Sequence, residues 1–281
     1  MRIIQTCNDI ISFVKDTKRQ SQTIGFVPTM GALHQGHLAL LKQAKAENDV
    51  VICSIFVNPT QFNDAEDYKK YPRNIEKDID SIKTLCDVVF VPSVEEMCPA
   101  ISNKMYDLEG LDKVMEGKYR PGHFNGVVMI VDRFFEIISA DYAYFGKKDF
   151  QQVVIIKKLV KIYKHTVRIV TVDTVREEDG LAFSSRNVLL SAEKRKEAPL
   201  IYQILLQAKS MAYKLSPHDI HKWIVEEFAK NNSFKLEYAA IVDALSLKEI
   251  KDFKESQEAV LCIAAYLDNV RLIDNLELYK K

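Results

Sequence analysis

The sequence predicts an α/β protein, a doubly wound parallel sheet followed by a smaller α+β C-terminal domain. Three observations lead there. Apolar runs at 23–27, 49–57 and 87–92 alternate with segments of helical spacing, the β-α-β-α-β order of a parallel sheet with crossover helices. The run Val50, Val51, Ile52, Cys53 is nearly continuous and rich in β-branched residues, as a strand covered on both faces requires. Beyond Asp173 the pattern changes to helical stretches and then alternating strands, which divides the chain into domains 1–173 and 174–281.

The elements follow in order. Ile10, Ile11, Phe13 and Val14 predict a first helix that closes near 16–20. The strand at 23–27 feeds a tight loop, from which Leu38, Leu40, Leu41 and Ala44 continue with helical spacing. After the strand at 49–57 a helix is expected over 75–85 and a strand over 87–92. Residues 97–126 read as irregular. A largely apolar helix covers 124–138, a strand 141–146, a further helix the stretch from Gln151 through Val160, and a strand 166–172. In the last third one long helix is expected from Ser191 through Tyr213 and another from Pro217 to about Lys230. Strands then follow at 236–243, 259–266 and 270–273, and this second domain is expected to form a lid or wall on the site.

Composition narrows the function. Lys plus Arg and Asp plus Glu are each 39 in 281 residues, so the formal charge is zero and no basic block offers a footprint for nucleic acid. The five cysteines are scattered without a Cys-x-x-Cys pair, which fits reduced thiols in a cytoplasm and not a disulfide framework or zinc site. No signal-peptide core or membrane-length apolar run is apparent, so a cytoplasmic protein is expected. His218 and His221, three apart, read as a helical surface pair, and His165 as a surface residue between helix and strand.

The chemistry centres on Pro28-Thr29-Met30-Gly31-Ala32-Leu33-His34-Gln35-Gly36-His37, a strand–loop–helix junction. A helix start offers unpaired N–H groups and the positive end of the macrodipole to a phosphate. Gly31 and Gly36 allow close approach of the backbone, and imidazoles three residues apart can serve the same phosphates. On these residues alone a helix-capping loop with two surface histidines is the competing reading. Asn58-Pro59-Thr60-Gln61-Phe62 reads either as an Asn-Pro turn or as an amide that grips a substrate hydroxyl beside a carboxylate. Tyr119-Arg120-Pro121-Gly122-His123 reads as an electropositive loop for an anion or as a solvated loop. A Lys of the 145–152 cluster and an Arg of the 176–187 cluster, from separate loops, could clamp a triphosphate with Ser hydroxyls and N–H groups.

His34-Gln35-Gly36-His37 resembles the His-x-Gly-His signature of nucleotidyl-transferring enzymes, which implies a Rossmann-like sheet, and Ser184-Ser185-Arg186 stands where those enzymes carry their second, basic motif. The fuller set is more specific. The junction above, Ser54 through Phe62, Tyr71-Pro72-Arg73, Glu116-Gly117 with Arg120 through Phe124, Phe145-Gly146 with Lys148-Asp149 and Gln151-Gln152, and Asp179 through Asn187 resemble, in order, the pantoate–β-alanine ligase family. The likeness spans roughly 26–187 and continues more weakly to the end.

That resemblance implies an ATP-dependent condensation of pantoate with β-alanine through a pantoyl adenylate, with release of pyrophosphate and AMP. It implies an ATP site made of Met30, Gly31, Ala32, Leu33, His34, Gln35, Gly36 and His37, completed by Gly146, Lys147, Lys148, Asp149, Val175, Phe183, Ser184, Ser185 and Arg186. His34, His37, Lys148, Ser185 and Arg186 are the expected catalytic donors. Gln61, Gln152 and Met30 are expected at pantoate, with Gln61 also near β-alanine and Tyr71, Arg120 and His123 as further candidates. Mg²⁺ is expected on ATP oxygens and water, so no protein metal ligand is named, and a homodimer is implied. Phe183, Cys98, Lys147 and Asn74 depart from the residues usual in the family; Phe183 is expected to alter adenine packing and Lys147 to shift ATP affinity. The alternatives are a sister nucleotidyltransferase, which leaves the Asn58–Phe62 and Phe145–Asp149 blocks without a purpose, and a catalytically silent nucleotide-binding module. An RNA-aminoacylating enzyme is disfavoured by the neutral charge.

Overall fold

The computed structural model describes residues 1–63, 68–69, 71–97 and 104–281. Cys98 lies outside the described residues. The chain divides into two compact units, Met1–Lys147 with Ile155–Asp173, and Lys148–Val154 with Thr174–Lys281.

The first unit opens with β1 (Arg2–Ile4), α1 (Cys7–Arg19), β2 (Ile24–Thr29), α2 (Gln35–Glu47), β3 (Val50–Ile55), α3 (Ile75–Ile82) and β4 (Val88–Phe90). It continues through α4 (His123–Ile138), β5 (Tyr142–Gly146), α5 (Phe150–Tyr163) and β6 (Arg168–Val172), with Phe150 through Val154 of α5 grouped in the second unit. The six strands are parallel in the order β1-β4-β3-β2-β5-β6. This is the doubly wound sheet that the alternation predicts, with β1 added at one edge. The sequence reading missed β1, since Arg2 and Ile3 are exposed and three residues carry no alternation.

Side-chain parity assigns the two faces. Phe26 of β2 and Phe90 of β4 meet Phe134 of α4, with ring centroids 5.3 and 6.3 Å apart. Their chain neighbours Val27 and Val89 point the other way, into a cluster with Leu41 of α2 and Ile82 of α3. An aspartate just before a strand recurs as a register lock. Asp49, Asp87 and Asp141 each accept a backbone N–H from the start of an adjacent strand, of Thr23, Val51 and Ile24, all at 2.8 Å. The order reverses between β2 and β5, and ligands bind doubly wound sheets beyond the carboxyl ends of the strands at such a point.

His165 is not the surface residue that its place between helix and strand predicts. Its Nε2 lies 2.7 Å from Asp132 Oδ1, and the Tyr106 hydroxyl and Lys104 ammonium donate to Asp132 Oδ2 at 2.6 and 2.9 Å. Burial pushes the Asp132 carboxyl up, but the hydrogen bonds from Tyr106, Lys104 and His165 outweigh it and hold the group below the ordinary range. A pKa lowered by folding stabilises the protein above the unfolded value of about 4 and ceases to do so as pH falls through the folded value. Asp132→Asn is therefore expected to be less stable than the parent at pH 7, with the gap closing below about pH 4. Urea unfolding at pH 7 and pH 3 checks this, and a gap independent of pH would contradict it.

The second unit contains α6 (Ala192–Glu197), α7 (Leu200–Met211), α8 (Pro217–Ala229) and an antiparallel sheet of β7 (Phe234–Asp243), β8 (Glu258–Leu267) and β9 (Val270–Lys280). Two expectations are corrected here. The single helix from Ser191 to Tyr213 is two helices, because Pro199 lacks the N–H and its ring collides with the preceding turn. The last strand runs well past the expected end at Ile273, through Asp274 and Asn275, which are buried. Ile201, Leu205, Ile224 and Leu261 form its core. His218 and His221 are exposed on α8, three residues apart, as read from the sequence.

Candidate active site

The loop that leaves β2 takes its shape from two left-handed residues, Gly31 (φ +78°) and Ala32 (φ 49°). A Cβ on Gly31 would also sit 2.9 Å from Asp78 Oδ2 and 3.1 Å from Ile55 Cγ2, so glycine is required on two counts. Asp78, on α3 and 5% exposed, accepts the N–H of Ala32 and of Leu33, both at 2.8 Å. It clamps the loop from behind, a role that the sequence reading did not assign.

At the head of α2 the histidines cap the helix. His34 Nδ1 accepts the Gly36 N–H at 3.1 Å and His37 Nδ1 accepts the His34 N–H at 3.3 Å, a reciprocal capping box built from imidazoles. The rings lie 4.0 Å apart at 35°. An Nδ1 that accepts carries no proton, so each neutral ring holds its hydrogen on Nε2 as a directed donor. The capping reading and the phosphate-donor reading of this loop are thus compatible: one nitrogen of each ring caps and the other can serve a ligand.

The loop after β3 makes the turn that its sequence allowed and also fixes the Gln61 amide. Asn58 is 1% exposed, and its Oδ1 accepts from Thr60 N and Oγ1 to make the turn. Its Nδ2 donates to Gln61 Oε1 at 3.1 Å and to the Gly126 carbonyl at 3.0 Å. Gln61, so held, aims its Nε2 at Met30 Sδ, 2.9 Å away. His123 Nδ1 donates to the Gln61 carbonyl at 2.8 Å, which leaves Nε2 to accept from Arg120 Nη1 at 3.2 Å. The first unit therefore gathers Met30, Gln61, Arg120 and His123. Tyr71 joins through Phe62, ring centroids 5.8 Å apart. Gln152 is on α5, in the other unit. A cavity of about 200 Å³ opens at the carboxyl ends of β2, β3 and β4, lined by Met30, Gly31, Phe56, Val57, Arg73 and Asp78 among others.

Gly126 makes this packing possible. A Cβ there would collide with the Thr60 carbonyl oxygen and lie 2.6 Å from its carbon and 2.8 Å from Gln61 N. Gly126→Ala is expected to cost about 1–3 kcal/mol, the range for forcing bulk into a packed interior, because backbone must move. Guanidinium unfolding measures it, and an unchanged midpoint would contradict the contact.

In the second unit Ser184 Oγ accepts the Arg186 N–H at 3.2 Å and starts a tight turn through Leu189. Phe183 N donates to Val175 O at 3.0 Å, which fixes the strand before Ser184. Arg195 braces the same loop through Glu177 and Asp179, at 2.7 and 2.6 Å. Lys148, with Asp149 Oδ1 at 3.6 Å, lines a small cavity with Ser184, Asn187 and Asp274. Lys147 instead pairs with Asp173 at 2.7 Å, in the first unit. A Cβ on Gly146 would meet nothing within 4 Å, so packing does not demand glycine there. Asn74, a departure from the family residue, caps α3 by accepting the Lys77 N–H at 3.0 Å. The pairing of Arg176 with Asp274, at 2.6 Å, escaped the sequence reading; the one available signal was a carboxylate two residues after Leu272, on the core face of β9. Among the described residues no group of three or more His, Cys, Asp or Glu is arranged to hold a metal ion, and no helix is long and apolar enough to cross a membrane.

A doubly wound sheet whose central strand ends in an imidazole-capped, glycine-shaped loop defines an α/β protein of the nucleotide-site class. The model of the family described as pantoate-beta-alanine ligase matches residues 2–277, and the chain belongs to that family. Curated relatives include the pantothenate synthetase of Porphyromonas gingivalis, 44% identical with 99% of each chain covered. That of Flavobacterium psychrophilum is 43% identical, with 99% of this chain and all of the relative covered. The crystal structure of the Thermus thermophilus enzyme superposes with a TM-score of 0.91 at 40% identity, over 99% of this chain and 100% of that one. The Francisella tularensis ligase, solved in complex with β-γ ATP and β-alanine, gives 0.81 at 37% identity, over 99% and 98%.

Proposed function

We propose that this chain condenses pantoate with β-alanine at the expense of ATP, through pantoyl adenylate, to give pantothenate, AMP and pyrophosphate. The observation that carries the reading is the imidazole cap at the head of α2, which fixes two Nε2–H donors beside a helix start. The Francisella relative, which binds an ATP ligand and β-alanine, supports the choice of substrates.

In the first step the pantoate carboxylate attacks the α-phosphorus and pyrophosphate leaves. Charge builds on the equatorial oxygens and on the leaving group, so the protein's task is positioning and neutralisation more than proton transfer. His34 and His37 donate from Nε2, Lys148 and Arg186 bring charge, and Ser185 adds a hydroxyl. Residues 30–37, Gly146 through Asp149, Val175 and Phe183 through Arg186 form the ATP site. Gln61, held by Asn58, and Gln152 bind pantoate, with Met30, Tyr71, Arg120 and His123 around them. In the second step the β-alanine amine attacks the acyl carbon and AMP leaves.

With their hydrogens on Nε2, the two imidazoles join the ammonium, guanidinium and hydroxyl as donors to phosphate oxygens. Mg²⁺ would be held on nucleotide oxygens and water and would neutralise phosphate charge there. By likeness to the family, the enzyme works as a cytoplasmic homodimer.

Carboxyl-labelled ¹⁸O-pantoate tests the chemistry. The adenylate route transfers one labelled oxygen to AMP, since the P–O bond formed in the first step survives when the acyl C–O bond breaks. Label in inorganic phosphate, with ADP as product, would overturn it.

A further inference from the structure

We infer that Asp274 and Asn275, adjacent on β9, are positioning residues for Lys148, one facing its ammonium and the other holding its backbone. The inference rests on the reading of Lys148 as a phosphate donor. Asn275 Nδ2 donates to the Lys148 carbonyl at 2.8 Å, and Asn275 N donates to Asp274 Oδ1 at 2.8 Å. Lys148 and Asp274 line the same small cavity with Ser184 and Asn187, whose buried Oδ1 receives no hydrogen bond. The two side chains are 18% and 4% exposed, so little water screens their charges.

Arg176 explains how Lys148 remains available. Its guanidinium binds Asp274 with two nitrogens, at 2.6 and 3.0 Å, donates to the Gly180 carbonyl at 3.1 Å and lies 3.8 Å over the Tyr202 ring. Burial pushes the Asp274 carboxyl up and prevails, while Arg176, then the Asn275 N–H and last Lys148 pull against it. One carboxylate thus faces two cations, of which the first is fixed by four contacts and the second is not. Asp274 alone would compete with a phosphate for Lys148. With Arg176 in place the Asp274 carboxylate stays compensated when the ammonium turns from it, and from Asp149 at 3.6 Å, to a phosphate oxygen. The strand that carries the carboxylate also fixes the peptide from which Lys148 springs.

The test is a double-mutant cycle read on ATP affinity by calorimetry, with the full chain and Mg-ATP. Lys148→Ala is expected to weaken ATP at least tenfold and Asn275→Ala about threefold to fivefold, with the double variant no weaker than Lys148→Ala. Multiplying losses would mean that Asn275 acts elsewhere, and the inference falls. Asp274→Asn would leave Arg176 buried without its charge partner, so the pair is removed together as Arg176→Met with Asp274→Leu, a change that buried ion pairs tolerate. Weakened ATP binding that vanishes in the Lys148→Ala background is expected; parent-like affinity would overturn the role of Asp274. If Lys148→Ala itself binds ATP like the parent, the phosphate-donor reading of Lys148 fails and takes the inference with it. That result is distinct from an additive cycle.

Discussion

His37→Asn is expected to slow adenylate formation by about 10²–10³-fold while the protein stays folded, the loss typical of removing one preorganised donor from a developing oxyanion. The geometry separates the two duties of this ring. Its Nδ1 accepts the His34 N–H, and its Nε2 carries the hydrogen that we propose serves a phosphoryl oxygen. The amide oxygen of asparagine falls near the Nδ1 position, so the cap survives; nothing replaces Nε2. Glutamine is a usual residue at this third helical position of a capping box, so its Oε1 can accept the His34 N–H while its N–H₂ supplies a donor in place of Nε2. His37→Gln should therefore recover part of the rate with stability close to that of the parent. Rapid-quench pyrophosphate release and thermal unfolding read the two effects independently. A parent-like rate in His37→Asn would remove His37 from the chemistry.

Asp78→Ala is expected to give the largest loss of stability, together with a loss of ATP affinity. Its carboxylate is the acceptor for two backbone N–H groups, of Ala32 and Leu33, in a loop held by left-handed residues. Each donor left unsatisfied in a buried place costs about 1–3 kcal/mol, and here two are stranded at once. The same loop then loses the restraint that sets Met30 and the start of α2, so the nucleotide meets an unorganised site. Asp78→Asn is informative beside it, since an amide can accept one of the N–H groups while its own N–H₂ opposes the other. The order of stability should be parent, then Asn, then Ala in urea unfolding, with ATP affinity in the same order. An unfolding midpoint in Asp78→Ala equal to that of the parent would show that the clamp does not hold the loop.

These residues also mark how far the sequence could be read. The parallel sheet was legible because β3 is apolar throughout and the helices between strands keep their spacing. The candidate loops stood out because their glycines, histidines and amides cluster at strand ends. What stayed hidden depends on partners distant in the chain. Asp78 sits in an amphipathic helix, where an acid reads as solvated until Ala32 and Leu33 are brought to it. Asp274 interrupted the apolar pattern of β9 and cut the expected strand short, because the charge that permits its burial comes from Arg176, 98 positions away. His165 reads as surface for the same reason, with Asp132 33 positions distant. The long helix after Ser191 failed on local grounds, the weight given to Pro199 against a continuous apolar spacing. That one side chain, Asn58, holds both the turn and the Gln61 amide became visible only in the fold.

The measurement that bears most directly on the two-step account is single-turnover pyrophosphate release from the enzyme with Mg-ATP and pantoate, with and without β-alanine. The account predicts a burst of one pyrophosphate per site without β-alanine, as pantoyl adenylate forms and stays bound. Sustained release follows once the amine is added, with pantothenate and AMP appearing together. Pyrophosphate release that needs β-alanine from the first turnover would contradict an adenylate formed before the amine acts.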